Sequence, residues 1–206
     1  MARTCIASIN LKAVKSNYLY AKSLAPNSKA IAIVKADAYG HGAIEVAAYL
    51  EETVDAFGVA CIEEAVELRE AGLEKKPILL LEGMFESSEI ELLEKHELMP
   101  VIGSTAQLQW ILNAELTKPI KVFLKYDSGM SRLGFHETEF KQVLHVLESN
   151  SKIAEIVLMT HFSKADEPYD IFTQNQIDNF NRIAKETGHP SSVANSAGIV
   201  DRKSVV

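Results

Sequence analysis

The sequence predicts an α/β chain: a parallel barrel of the (β/α)8 type, incomplete at about seven βα units. Two observations lead there. Short apolar runs recur along the 206 residues, each followed by a turn and then a helical pattern. The runs are apolar throughout rather than alternating, which marks parallel strands covered by helices. About seven such units exceed an ordinary doubly wound sheet and fall one short of a closed eight-stranded barrel.

The elements follow in order. Thr4–Leu11 alternates and reads as an extended segment, passing into a helix over Leu11–Leu24. The apolar runs Ala30–Val34, Ala56–Ala60, Ile78–Leu81, Met99–Ile102, Ile120–Leu124, Ile153–Met159 and Ser192–Ala194 read as strands. Helical spacing follows at Ile62–Glu70, Ser88–His96, Thr105–Ala114, Phe140–Leu147 and Tyr169–Lys185. Phe140, Val143, Leu144 and Leu147 give the i, i+3, i+4, i+7 stripe most plainly. A helix opens near Gly42 and another near Asn195-Ser196.

Composition excludes several classes. Net charge is −7, which does not suggest a nucleic-acid partner or an anionic membrane. No apolar run reaches the ~20 residues that span a bilayer. The N-terminus lacks a signal peptide's apolar block. Cys5 and Cys61 are far apart and read as free thiols. The expected setting is the cytoplasm, and the expected partner is a small molecule.

Barrel chemistry sits at the C-terminal ends of the strands. Lys35 ends the first strand and is followed at once by Ala36-Asp37-Ala38-Tyr39-Gly40-His41-Gly42. It reads either as a strand-end lysine reaching solvent or as a desolvated amine that forms a Schiff base with a carbonyl. The small residues after it allow a ligand to approach, and a helix start there suits an anion. Lys125, Asp127 and Arg132 end the fifth strand, Thr160 and His161 the sixth, and Asn195 and Ser196 the seventh. This set suits a planar anionic ligand and lacks the ligand pattern of a metal centre.

Alternatives stay open for several of these. Lys125 and Asp127 point the same way on a strand and could form an ordinary ion pair. Arg132 offers either a fork for a carboxylate or a solvated charge. His161 is either a core histidine or a ring contact. Ser196 reads as a helix N-cap, which is compatible with phosphate binding. Trp110 and Met130 read as packing, His41 as peripheral to the chemistry, and the run EEAVELREAGLEKK (63–76) as a solvated helix face.

Four stretches, in order, carry a resemblance: AIVKADAYGHG, KYDSGMSRLGF, THFSKADEP and ANSAG. They resemble the bacterial alanine racemases, and the likeness covers residues 3–200. The resemblance implies a pyridoxal 5'-phosphate-dependent isomerase that interconverts L- and D-alanine, supplying D-alanine for peptidoglycan. It implies an eight-stranded barrel followed by a mainly β C-terminal domain, and a homodimer. Lys35 is then the cofactor-binding lysine and the base for the D-isomer. Tyr39, Asn195 and Ser196 serve the phosphate, His161 lies beside the pyridine ring, and Arg132 meets the substrate carboxylate. Lys125 supports Arg132 and in the family is often carbamylated. The second base is a tyrosine of the partner's C-terminal domain, which finds no match in this chain.

Two further readings are carried: a racemase of another amino acid such as serine, and a non-catalytic pyridoxal phosphate-binding barrel. Residues 1–200 are expected to be the partial barrel, inactive alone. Asp201–Val206 is what one reading frame of a widely used sequencing adapter encodes, so these six residues are expected to be a non-native tail.

Overall fold

The computed structural model describes residues 5–202; the start of the Thr4–Leu11 expectation and most of the expected tail, residues 203–206, lie outside that range. Helix α1 (Leu11–Leu24) is followed by strand β1 (Ile31–Ile33), a short turn α2 (Lys35–Gly40) and helix α3 (Ala43–Leu50). Then come β2 (Ala56–Val59), α4 (Ile62–Glu70), β3 (Ile78–Leu80), α5 (Ile90–Lys95), β4 (Leu98–Ile102), α6 (Thr105–Asn113) and β5 (Ile120–Lys125). The chain continues through α7 (Glu137–Glu148), β6 (Ile153–Met159), α8 (Phe172–Thr187), β7 (Ser191–Ser192) and α9 (Ser196–Arg202).

All seven strands are parallel and stand in sequence order, as an incomplete barrel requires. Alternation along the strands sorts their side chains. Ile78, Leu80, Val122, Leu124, Ile156 and Leu158 pack with the buried faces of the helices. Leu79, Val101, Phe123, Val157 and Met159 form a second cluster that contains no helix residue. That second cluster is the barrel interior, so both strand faces are apolar for two different reasons. The interior set on β5 and β6 begins with a charge pair instead: Lys121 meets Glu155 at 2.8 Å.

Local chemistry explains several boundaries. The Asn10 side chain accepts the Ala13 N–H, so α1 starts at Leu11. Ser104 does the same for Gln107 ahead of α6. The expected helix at Tyr169 begins three residues later, because the Asp170 carboxylate accepts the Phe172 N–H and caps it there. Gly188 ends α8 in the left-handed conformation. The Ser88–His96 segment divides into a 3₁₀ turn, Ser87–Glu89, and α5. The helix around Phe140 is longer than its apolar stripe, reaching Glu137 and Glu148.

Helix α1 spans Leu11–Leu24, as its pattern placed it, and residues 5–10 ahead of it belong to no strand. One expected boundary moves. The last strand is Ser191–Ser192 rather than Ser192–Ala194.

Among the described residues, strands β1 and β7 each pair on one side only. Helices α1 and α9 pack against each other beside this seam. The cost shows in the burial: Val34, facing the helices, is 2% exposed, while Ile33, facing the interior by the seam, is 36% exposed.

Candidate functional site

The backbone after β1 does something the sequence did not announce. Ala36, Asp37, Ala38 and Tyr39 all have φ between 51° and 56°. Four consecutive residues other than glycine therefore form one left-handed helical turn. Each costs about 1–2 kcal/mol relative to the right-handed form. Surrounding bonds hold it: Ala38 donates to the Val34 carbonyl, and His41 and Gly42 both donate to the Asp37 carbonyl. The Asp37 carboxylate accepts the Ala43 N–H at 2.7 Å, capping α3. His41 Nδ1 donates to the Ala38 carbonyl, a local bond that accounts for the residue. Gly42, at φ 86°, closes the turn; a Cβ there would meet the Glu45 carboxylate at 2.6 Å. The turn leaves Lys35 at the cavity and Tyr39 62% exposed on its rim.

After β5 the chain turns sharply and returns. Asp127 Oδ1 accepts the N–H groups of Gly129 and Ser131, each at 2.9 Å. Phe135 donates to the Lys125 carbonyl, and Asp127 to the Phe135 carbonyl, closing the loop. Gly134, at φ 115°, permits this: a Cβ would lie 2.9 Å from Lys125 Cγ and 3.0 Å from the Asp127 nitrogen. The loop hands Arg132 to the cavity rim.

The Lys125–Asp127 ion pair considered from sequence does not form, because the Asp127 carboxylate is engaged by its own loop, with His136 beyond it at 3.9 Å. Lys125 is left with burial and the Arg132 charge acting on it. Together they lower its ammonium from 10.5 to about 8, and Asp127 opposes them only weakly. His161 is pushed further, from 6.5 to about 4, by burial and then by the charges of Lys125, Arg132 and Lys35. It is a neutral ring at physiological pH.

On the β7 side, Asn195 Oδ1 accepts the Gly198 N–H at 2.9 Å, and its amide donates to the Phe162 carbonyl. The cap of α9 is therefore Asn195, and Ser196 is the exposed first residue of the helix. The N-cap reading of Ser196 is corrected accordingly, and its hydroxyl faces no such duty.

Lys35, Tyr39, Lys125, Arg132, His161, Asn195 and Ser196 all line one cavity of about 1610 Å³. It runs along the open seam from the mouth to Lys121 and Glu155, which explains a volume above that of an ordinary ligand pocket. Met130 lines it as well, whereas Trp110 also packs against the core.

Three supports were missed by sequence reasoning. Glu64 lies in the run read as a solvated face, yet accepts the N–H groups of Ala36 and Ala60, each at 2.7 Å. Arg69, in the same run, is partly buried and donates to the carbonyls of Leu73, Lys76 and His96. Gln176 is 1% exposed; it accepts from the Ser163 N–H and donates to Ser128 and the His161 carbonyl. The glutamate's position two residues into a helix that follows a strand end was the available signal for the first.

Comparison with known proteins matches the alanine racemase N-terminal domain over residues 9–205. The chain belongs to the alanine racemase family. It is 47% identical over 198 residues to an alanine racemase of Xylella fastidiosa, covering 96% of this chain and 54% of that protein. It is 46% identical to a catabolic alanine racemase of Pseudomonas putida, covering 96% and 55%. Among solved structures, the biosynthetic alanine racemase from Pseudomonas aeruginosa superposes with a TM-score of 0.91 at 40% identity, covering 95% of this chain and 54% of that one. The alanine racemase from Acinetobacter baumannii gives 0.87 at 35% identity. The chain thus spans about half the length of the alanine racemases it matches, and its open barrel corresponds to their N-terminal barrel. Among the described residues no helix is long and apolar enough to cross a membrane.

Proposed function

We propose that this chain is the cofactor-binding barrel of a pyridoxal 5'-phosphate-dependent alanine racemase, which interconverts L- and D-alanine in the cytoplasm and so supplies D-alanine for peptidoglycan. One observation carries the reading. Lys35, Lys125 and Arg132 line a single cavity with His161, whose ring is held at about 4 by burial first and then by those three charges. An excess of cations with a neutral ring among them fits a planar, anionic cofactor and a carboxylate substrate.

The residues fit that cofactor. Lys35 supplies the amine that attaches it. Tyr39, the start of α9 at Ser196, and Asn195 behind it supply donors for a phosphate. His161 offers an uncharged face for a pyridine ring. When bound, the cofactor delocalises the electrons left behind when the substrate loses its α-proton. Lys35, once freed, holds that proton on the face of the D-isomer. Arg132 orients the substrate carboxylate through its two-pronged guanidinium.

Lys125 serves Arg132 indirectly. At about 8, part of it is neutral amine at physiological pH. A neutral amine adds carbon dioxide, forming an N–C bond and releasing one proton, and the resulting carbamate is an anion beside Arg132. Two repelling cations become an ion pair. The second base is a tyrosine of the partner subunit's C-terminal domain, in a homodimer.

The test uses the full-length enzyme. Alanine racemisation, followed by loss of optical activity, is expected in the wild type and absent in Lys35→Ala, which also loses the visible absorbance of the attached cofactor. A Lys35→Ala variant that keeps that absorbance overturns the assignment.

A further inference from the structure

The backbone of β1 and β2 poses a pairing problem at the mouth. Val34 donates to the Gly58 carbonyl, an ordinary parallel rung. The next rung in that register is Ala36 N–H to the Ala60 carbonyl. It is not made. The backbone has already turned left-handed at Ala36, φ 51°, and the Ala60 carbonyl accepts Glu82 N–H from the other side. Two strand-end amides, Ala36 and Ala60, are left pointing into the same gap.

One carboxylate fills it. Glu64 is the third residue of α4, and its two oxygens take one amide each: Oε1 from Ala36 and Oε2 from Ala60, both at 2.7 Å. These are charge-assisted bonds, about twice as strong as neutral ones. They sit at the entry to a four-residue turn that is unfavourable at every position. Asp37 holds the exit of that turn through Ala43. Without the entry bond, Ala36 can relax to ordinary backbone angles, and Lys35 then leaves the cavity mouth with it.

We propose that Glu64 is a positioning residue for Lys35: its carboxylate spans the ends of β1 and β2 and thereby fixes the left-handed turn from which Lys35 reaches the cavity. Its relation to the cofactor rests on the alanine racemase reading, while its hold on the turn does not. Glutamine is the informative replacement. It has one carbonyl oxygen, so it can satisfy one amide but faces the other with an N–H group.

The experiment compares wild type, Glu64→Gln and the exposed control Glu67→Gln in the full-length enzyme. Hydrogen exchange at Ala36 and Ala60 reads the turn without any cofactor. Attachment of added pyridoxal phosphate, followed by its visible absorbance, reads Lys35. In Glu64→Gln, exchange at those two amides is expected to rise about tenfold, the size of one charge-assisted bond. Attachment should slow by a similar factor, with the thermal midpoint and the exchange of core amides unchanged. Glu67→Gln should match wild type throughout. Unchanged exchange at Ala36 and Ala60 overturns the proposal, as does faster exchange across the whole core, which marks a general loss of stability. If the wild type attaches no cofactor, the racemase reading falls, and the exchange measurement alone decides the role of Glu64.

Discussion

Lys125 lies beside the Arg132 guanidinium at the end of β5, and burial first, then that charge, holds its ammonium down to about 8. The nearby Asp127 carboxylate, turned to its own loop, does little to relieve it. Lys125 is therefore an uncompensated charge in a buried place.

This predicts the sign of its contribution to stability. The folded value lies below the unfolded one, so the unfolded chain binds more protons between pH 8 and 10.5, and stability rises with pH across that window. In buffer freed of carbon dioxide, where Lys125 carries no carbamate, Lys125→Met is expected to raise unfolding stability near pH 7 by on the order of 2 kcal/mol, after allowing for solvent screening. The gain should vanish by about pH 10. Urea denaturation at both pH values checks it; a variant less stable at pH 7 contradicts it.

His161 titrates in the opposite range. Its folded value is also lowered, to about 4, so the ring is buried neutral and stability is lost as pH falls from 6.5 toward 4. His161→Phe should flatten that part of the acid limb, seen as a smaller drop in denaturation midpoint between pH 7 and pH 5. An unchanged slope would place the acid sensitivity elsewhere, with the partly buried His96, also lowered, as the next suspect.

Gln176 fastens two mouth segments to α8, with Ser128 and Thr160 completing the buried set at 2.8 Å from each other. Gln176→Leu keeps the volume but strands the Ser163 N–H and the His161 carbonyl. A loss of about 2–4 kcal/mol is expected from those unsatisfied groups. Thermal unfolding measures it, and a change under about 0.5 kcal/mol would deny the network that role.

Residues 1–206 expressed by themselves present unpaired edges on β1 and β7 and a half-exposed interior at Ile33. Such edges pair with other chains. Light scattering is expected to show aggregation, and no racemisation should be detectable. A monodisperse, active preparation would refute this.

Much of the fold was legible because its signals are local. Continuous apolar runs and helical stripes need only neighbours a few residues away, so the strands at 31, 56, 78, 98, 120 and 153 fell where the pattern put them. The seven candidate site residues follow strand ends, and that placement, with the turn after β1 and the loop after β5, brings them to one cavity. The shortest element was less legible: β7 slid by a residue because two residues of pairing carry little pattern.

The sequence by itself determined the family, through four stretches that resemble the alanine racemases, and it determined the parallel units and the side chains that follow each strand, which rest on patterns local to the chain. The tertiary structure alone decided how those ends are held. Glu64 reaches Ala36 across 28 positions, and Gln176 reaches Ser128 across 48. Asp127 chose between Lys125 and its own amides by a loop geometry that Gly134 permits. The physical reason is common to all three. A carboxylate or amide satisfies whichever donors the fold brings within reach, and that distance is not written in the order of the residues.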